Sequence, residues 1–432
     1  MIGARPYCRS RAFPVYTRDR PKARARPVEL NLSLLNDTTL HIDQVTDSTA
    51  EPAPVAPIVA RIREALAILE QEYTTREHTR PWIVAFSGGK DSTLLLQFVF
   101  EMLLRVPPSE RTRQIHVLSN DTLVESPLVA AHLDRSLDRI KEGVAALGLP
   151  VTVTKTTPKA DQTFWVNLIG RGYPAPNRSF RWCTDRMKIQ PTSDYIKDQV
   201  RASGEVILLI GVRRAESANR AASVDKYTNA SGSHLNPHND LRGCLVFRPI
   251  VDFTTEEVWQ LLLQRRPPWG GSHRDLVTLY RNAQAGECPL VIDRETAPSC
   301  GTSSSRFGCW TCTVVDKDKS LSGFVDSGHE NLEPLIFFRD WLAAVRNDRD
   351  RREKVRRGGD VRLMKDGTPI PGPFKMEARA EILERLLSLQ AEVGFQLISK
   401  SEIEVIRHTW AQESVSRGRR VLDAVEEARR ES

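Results

Sequence analysis

Ser87-Gly88-Gly89-Lys90-Asp91-Ser92 joins an apolar run, Trp82 to Phe86, to a second one with helical spacing from Ser92 to about Arg105. The first run is β-branched and aromatic, which predicts a buried strand; the second predicts the helix that follows it. Between them, two residues without Cβ atoms allow close backbone approach to a ligand. Their N–H groups, the hydroxyls of Ser87 and Ser92 and the start of a helix all donate to anions. The chemistry this suits is phosphate binding, with Asp91 in the first helical turn. A γ-phosphate-cleaving loop of the form G-x-x-x-x-G-K-[ST] is excluded by the spacing, and a ligand-free glycine turn is the other reading.

Cys300, Cys309 and Cys312 form a C-x8-C-x2-C segment, and the last two can present thiolates to one metal. Spacing leaves open a structural zinc and an iron–sulfur cluster. Cys288 is a local candidate for a fourth ligand and Cys183 a distant one. Cys244 opens an apolar run and reads as a small buried hydrophobe, and Cys8 as incidental. Seven cysteines, an odd number, argue for metal or redox chemistry rather than a disulfide framework.

Other candidates stand at the ends of apolar runs. Asp121 follows the strand pattern of Gln114–Ser119, and Arg213 and Arg214 follow that of Glu205–Ile210. Two guanidinium groups there can clamp phosphate or serve an internal ion pair. Arg181, Arg186 and Lys188 precede a helix reaching about Ala202 and are either similar contacts or a solvated face.

The elements that position these residues alternate. Strands at 82–86, 114–119, 150–155, 205–210 and 244–250 are separated by helical patterns, among them Pro127–Leu147 and a helix opened by the capping box Thr254-Thr255-Glu256-Glu257. This predicts an α/β fold with a parallel sheet, whose ligands lie beyond the carboxyl ends of the strands. Four regions follow: a basic arm over 1–57 expected to be disordered, an α/β nucleotide domain over 58–264, a Cys-rich stretch of little periodicity over 265–324, and a mostly helical C-terminal appendage over 325–432. Within the last, the run Arg346–Arg357 reads as a basic face, and Met376–Ala391, Ser401–Gln412 and Arg417–Arg430 as two or three helices. A net charge of +7 over 432 residues suits a polyanionic partner. No run is long and apolar enough for a membrane span or a signal peptide, so a cytoplasmic location is expected.

S-G-G-K-D-S resembles the PP-loop of N-type ATP pyrophosphatases. The ordered set S-G-G-K-D-S, D-T-L-V-E, R-W-C-T-D-R-M-K, G-V-R-R-A-E-S, F-R-P-I-V-D-F-T-T-E-E-V-W and C-x2-C resembles the phosphoadenylyl-sulfate reductase family. Within that superfamily, Ser305–Val315 followed by Asp318-Lys319-Ser320 is similar to the characteristic segment of the DndC family, the sulfurtransferases of bacterial DNA phosphorothioation. The resemblance implies ATP bound by Ser87, Gly88, Gly89, Lys90, Asp91 and Ser92, with Mg2+ positioned by Asp91 or Asp121 and phosphate clamped by Arg213 and Arg214. It implies a [4Fe–4S] cluster on Cys183, Cys300, Cys309 and Cys312, choosing Cys183 over Cys288. DNA as substrate, a cysteine desulfurase as sulfur donor and other subunits of a phosphorothioation complex follow as expected partners. Related activities on the same loop are sulfonucleotide reduction, which releases sulfite, and tRNA thiolation.

Overall fold

A computed structural model describes residues 57–216, 234–283, 307–363 and 367–430. The expectations for the basic arm, Cys288 and Cys300 lie outside these residues. Residues 55–432 form one compact unit, so the boundaries expected at 264 and 324 fall inside it.

The sheet has six strands: β1 Trp82–Ala85, β2 Ile115–Asn120, β3 Val151–Thr156, β4 Val206–Leu209, β5 Leu235–Pro237 and β6 Cys244–Phe247, in the spatial order β3-β2-β1-β4-β6-β5. All neighbours are parallel except the β5–β6 pair. The chain runs outward from β1 to β3, then returns to place β4 on the other side of β1. That reversal opens a crevice above the carboxyl ends of β1 and β4.

Helices α1 Pro57–Thr74, α2 Lys90–Arg105, α3 Pro127–Leu147, α4 Gln190–Ser203 and α5 Thr255–Gln264 cover the sheet. α2 buries all but a few of its side chains, because it lies between the sheet and outer helices. Local chemistry fixes the ends of others. α3 starts with Pro127 at its first position and stops at Gly148, which adopts φ 59°. α5 begins on the predicted capping box: Thr254 Oγ1 accepts from the Glu257 N–H at 3.2 Å, and the Glu257 carboxylate accepts from the Thr254 N–H at 2.9 Å.

The Cys-rich region is more regular than its sequence suggests. It contains α6 Arg274–Asn282 and α7 Lys319–Asp326, helices too short for their periodicity to stand out. α6 docks on α2 through His273, buried at its N-terminus. The Gln97 amide donates to Glu101 (2.8 Å) and to the Arg266 carbonyl (3.0 Å), so its oxygen accepts from His273 Nε2–H at 2.8 Å. Burial pushes the His273 pKa down to about 4. The imidazole is therefore neutral in the fold and protonates near pH 6.5 when unfolded. Stability is fully present above pH 6.5 and falls by about 2–3 kcal/mol as the pH drops to 4. Urea titrations of wild type and His273→Gln across this range check it: the extra loss appears in wild type only, and equal pH slopes would refute the assignment.

α8 Glu333–Val345, α9 Met376–Val393 and α10 Lys400–Arg430 complete the unit. Of the two or three helices expected over 376–430, two form, with 401–412 and 417–430 both in α10. The C-terminal region is helical, as expected, and it packs on the core: the Trp165 indole N–H donates to the Leu397 carbonyl (2.7 Å), just before α10, and that of Trp410 donates to the Ile169 carbonyl (2.9 Å). Ile169 belongs to a π-helical turn, Val166–Gly170, that this packing covers.

The expected basic face over 346–357 is corrected in part. Arg352 is buried and donates to the carbonyls of Gly372 (2.6 Å), Arg346 (2.8 Å) and Pro371 (3.1 Å), while Arg346 donates to those of Pro176 (2.7 Å) and Thr313 (2.9 Å). These guanidinium groups, Arg352 buried and Arg346 half-buried, supply donors to irregular backbone.

Candidate functional site

The predicted loop closes on itself through hydroxyls. Ser92 Oγ donates to the Gly89 carbonyl (3.0 Å) and accepts from the Ser87 N–H (3.2 Å), and it lies 3.1 Å from Ser87 Oγ. Gly88 adopts φ 72°, a conformation that a Cβ would strain. α2 begins at Lys90 with Asp91 in its first turn, as expected.

Above the loop is a cavity of about 520 Å3, a size suited to a small-molecule ligand. Ser87, Gly89, Lys90, Asp91 and Ser92 form one wall; Asp121, Thr122, Glu125 and Lys188 form another; Tyr280 and Phe307 lie at its edge. Lys90 is buried, paired with Asp91 at 3.1 Å and 5.8 Å from the Tyr280 ring centre. The Lys90 backbone N–H donates to the Tyr280 hydroxyl at 3.3 Å, which places a neutral oxygen against an amide of the helix start. Tyr280 was not legible as a site residue: it is a lone tyrosine in a short helix, with no pattern around it.

Asp121 is brought to the cavity with Asp91. Its Oδ1 accepts from the Leu123 N–H (2.8 Å), holding Leu123 at φ 64°, and Lys155 Nζ lies 3.3 Å from its Oδ2. A left-handed leucine costs about 1 kcal/mol or more, and here the strained turn swings residues 122–125 toward the cysteine segment.

The two arginines are placed differently from the expectation that they clamp phosphate. Arg213 is fully buried and donates from Nε to Asp91 Oδ1 at 2.6 Å, from Nη1 to the Phe253 carbonyl at 3.1 Å and from Nη2 to Thr255 Oγ1 at 3.2 Å. It holds the loop's acid from behind. Arg214 pairs with Asp252 at 3.2 Å on the surface. Neither side chain lines the cavity. Of the other basic candidates, Lys188 lines it, whereas Arg186 lies over the Tyr173 ring, 5.4 Å from its centre.

The cysteine segment joins the same wall. Trp310 N–H donates to the Val124 carbonyl (3.0 Å), Cys309 pairs with Glu125 as an isolated bridge, and Cys309 Sγ lies 3.4 Å from Thr122 Oγ1 and 3.9 Å from Glu125 Oε1. Burial and the Glu125 carboxylate push the Cys309 thiol up to about 12, and burial and Cys312 raise Cys183. Cys309, Glu125, Cys183 and Cys312 all act on the Lys188 ammonium, with Cys309 the strongest in raising its pKa. Three thiols and one cation thus share a neighbourhood, a soft donor set that fits a thiolate-held cluster. Among the described residues, no group of three or more His, Cys, Asp or Glu side chains closes around a single metal position.

Residues 81–315 match the phosphoadenosine phosphosulfate reductase domain. The chain belongs to this family. Among curated relatives it is 24% identical over 207 residues to the Methanocaldococcus jannaschii protein MJ0066, which covers 48% of this chain and 36% of that protein. It is 27% identical over 201 residues to MJ0973 of the same organism, covering 46% and 39%. The chain thus spans about two fifths or less of the length of these relatives. Similar solved structures include the phosphoadenylyl-sulfate reductase of Candida auris (12% identity, TM-score 0.29, 49% of this chain and 87% of that one). Another is the U34-tRNA thiolase NcsA of Methanococcus maripaludis, solved with its [4Fe–4S] cluster (12%, TM-score 0.31, 58% and 86%). The loop, both acids and all three described cysteines of the expected ligand set fall inside the phosphoadenosine phosphosulfate reductase domain. No helix of the described residues is long and apolar enough to cross a membrane.

Proposed function

We propose that the protein is an ATP-dependent sulfurtransferase that replaces a non-bridging oxygen of a DNA backbone phosphate by sulfur. The observation that carries this reading is the shared wall: Thr122 and Glu125 line the nucleotide cavity on one side and touch Cys309 on the other. Activation of an oxygen and delivery of sulfur therefore have one common space.

A phosphodiester oxygen is a poor leaving group. Attack of that oxygen on the α-phosphorus of ATP forms a P–O bond, breaks the α–β bridge and releases pyrophosphate. Hydrosulfide then forms a P–S bond as the P–O bond to AMP breaks, with no net redox change. The Gly88–Gly89 loop and the α2 N-terminus hold the departing phosphates, and Lys90 adds charge. Asp91 and Asp121 face the cavity and suit a Mg2+ that neutralises ATP. Cys183, Cys309 and Cys312, with Cys300, would hold a [4Fe–4S] cluster, whose chemistry is to carry sulfide or electrons. A cysteine desulfurase as sulfur source, a thiol reductant that supplies the two electrons needed to release its persulfide sulfur as hydrosulfide, and further subunits that select the DNA complete the reading.

The test is the full chain, purified without oxygen and given ATP, Mg2+, sulfide and duplex DNA. Pyrophosphate release with phosphorothioate-linked dinucleotides after nuclease digestion is expected. Sulfite release from a sulfonucleotide without thiolated DNA would sink the reading. Wild type should also carry about four iron and four acid-labile sulfide per chain, falling severalfold in Cys309→Ser and Cys312→Ser. About one zinc and no sulfide would instead make the cysteine loop a closed structural site.

A further inference from the structure

Next to the cysteines the chain makes a tight, outward-facing turn that the chemistry above does not use. Asn177 and Phe180 exchange backbone hydrogen bonds at 3.2 and 3.3 Å, and Asn177 Oδ1 accepts from the N–H groups of Ser179 (2.9 Å) and Phe180 (2.8 Å). The turn is anchored from behind, since the Pro176 carbonyl accepts from Thr313 Oγ1 at 2.5 Å and from Arg346 at 2.7 Å. Thr313 adjoins Cys312, and Cys183 lies three residues beyond Phe180, so turn and thiols share one scaffold.

Phe180 closes the turn and is 43% exposed, its ring tilted against that of Tyr173 with the centres 6.2 Å apart. Arg178 and Arg181 are exposed on either side of it. The Arg178 contact to Asp316, at 3.7 Å between two largely solvated groups, is weak. A hydrogen-bonded turn with an exposed aromatic ring, an exposed arginine two residues before it and another directly after it matches a nucleic-acid strand, in which a base stacks and the adjoining phosphates pair with arginine.

Resting on the sulfur-transfer reading, we propose that the Asn177–Phe180 turn is a platform on which an unpaired nucleobase stacks on Phe180 while Arg178 and Arg181 hold the neighbouring phosphates. The substrate phosphate is thereby presented beside the cysteine segment. The occupant is a DNA strand with an exposed base, as the sulfur-transfer reading requires, and preference for RNA is an outcome of the test.

The experiment measures fluorescence anisotropy of the full chain with a labelled 20-nucleotide DNA strand, the corresponding DNA duplex and the RNA strand. Phe180→Ala should weaken binding of the strand about tenfold, Phe180→Trp should restore it, and the duplex should respond less. Arg178→Ala with Arg181→Ala should lower the slope of log affinity against log salt by about 1.4 on a single strand. Thermal melting of each variant reports whether the fold is kept. Tighter binding of DNA than RNA assigns the platform to DNA, and the reverse to RNA. Strand binding that is the same in wild type and Phe180→Ala, or absent in wild type, overturns the platform. If wild type thiolates DNA while Phe180→Ala binds unchanged, the platform fails and the function stands. If Phe180 governs binding but no phosphorothioate forms, the function fails and the platform stands.

Discussion

Replacing Arg213 by Met lowers the unfolding free energy by about 3 kcal/mol and weakens ATP binding at least about tenfold. The guanidinium is wholly buried, and its removal strips Asp91 Oδ1, the Phe253 carbonyl and Thr255 Oγ1 of a donor in one step. Breaking one side of a buried pair costs about 3–5 kcal/mol. The lower end applies because Asp91 keeps some solvent access and retains Lys90 at 3.1 Å. With its partner gone, Asp91 is free to swing toward Lys90 or the cavity, which disturbs the first turn of α2 where phosphate would bind. Urea denaturation and nucleotide titration of the variant check both effects. A loss under 1 kcal/mol with normal affinity would mean that Arg213 neither stabilises nor positions the loop.

Gly211→Val should reduce pyrophosphate release about 100-fold or more. Gly211 follows β4 where the sheet's crevice opens, and a Cβ there would lie 2.9 Å from both the carbonyl carbon and oxygen of Asp91 and 3.1 Å from the Ser92 N. These are backbone atoms and cannot rotate aside. The valine therefore pushes the loop off β4, and a displacement near 1 Å at a reacting centre costs about 100-fold. Steady-state rates with saturating ATP decide it: a value within a few-fold of wild type would show that the loop tolerates the shift. Gly211→Ala should lie between the two, with the same contact and less bulk.

Much of this was readable from residue order. The strand, the loop and α2 announced themselves because a β-branched run, two glycines and a helical apolar pattern each have a separate physical cause. α3 was expected over about Pro127 to Leu147, where it lies, and the start of α5 was marked by Thr254 and Glu257. What was hidden depends on partners far away in sequence. Nothing near Arg213 reveals that it binds Asp91, 122 positions earlier, rather than a ligand. Arg346 and Arg352 look like surface charge until the carbonyls they solvate are known. α6 was lost because Leu276, Val277 and Tyr280 are too few to set a period, and with it went Tyr280, which touches the loop. The cysteines were the reverse case: their spacing pointed to a metal or a cluster and left the two open, whereas the contact of Cys309 with Thr122 and Glu125 appears only in three dimensions.

The reach of the C-terminal helices has a consequence for how the protein is made. Ile169 and Trp410, joined by a hydrogen bond, are 241 residues apart, and Trp165 and Leu397 are 232 apart. At about 5–20 residues per second, a ribosome takes roughly 12–50 seconds to supply those partners after the 165–169 segment emerges. Throughout that interval the nascent chain displays Trp165 and its apolar neighbours uncovered, although the first strands of the sheet are already present. The packing around Trp165 and Ile169 thus waits until Leu397 and Trp410 have been translated.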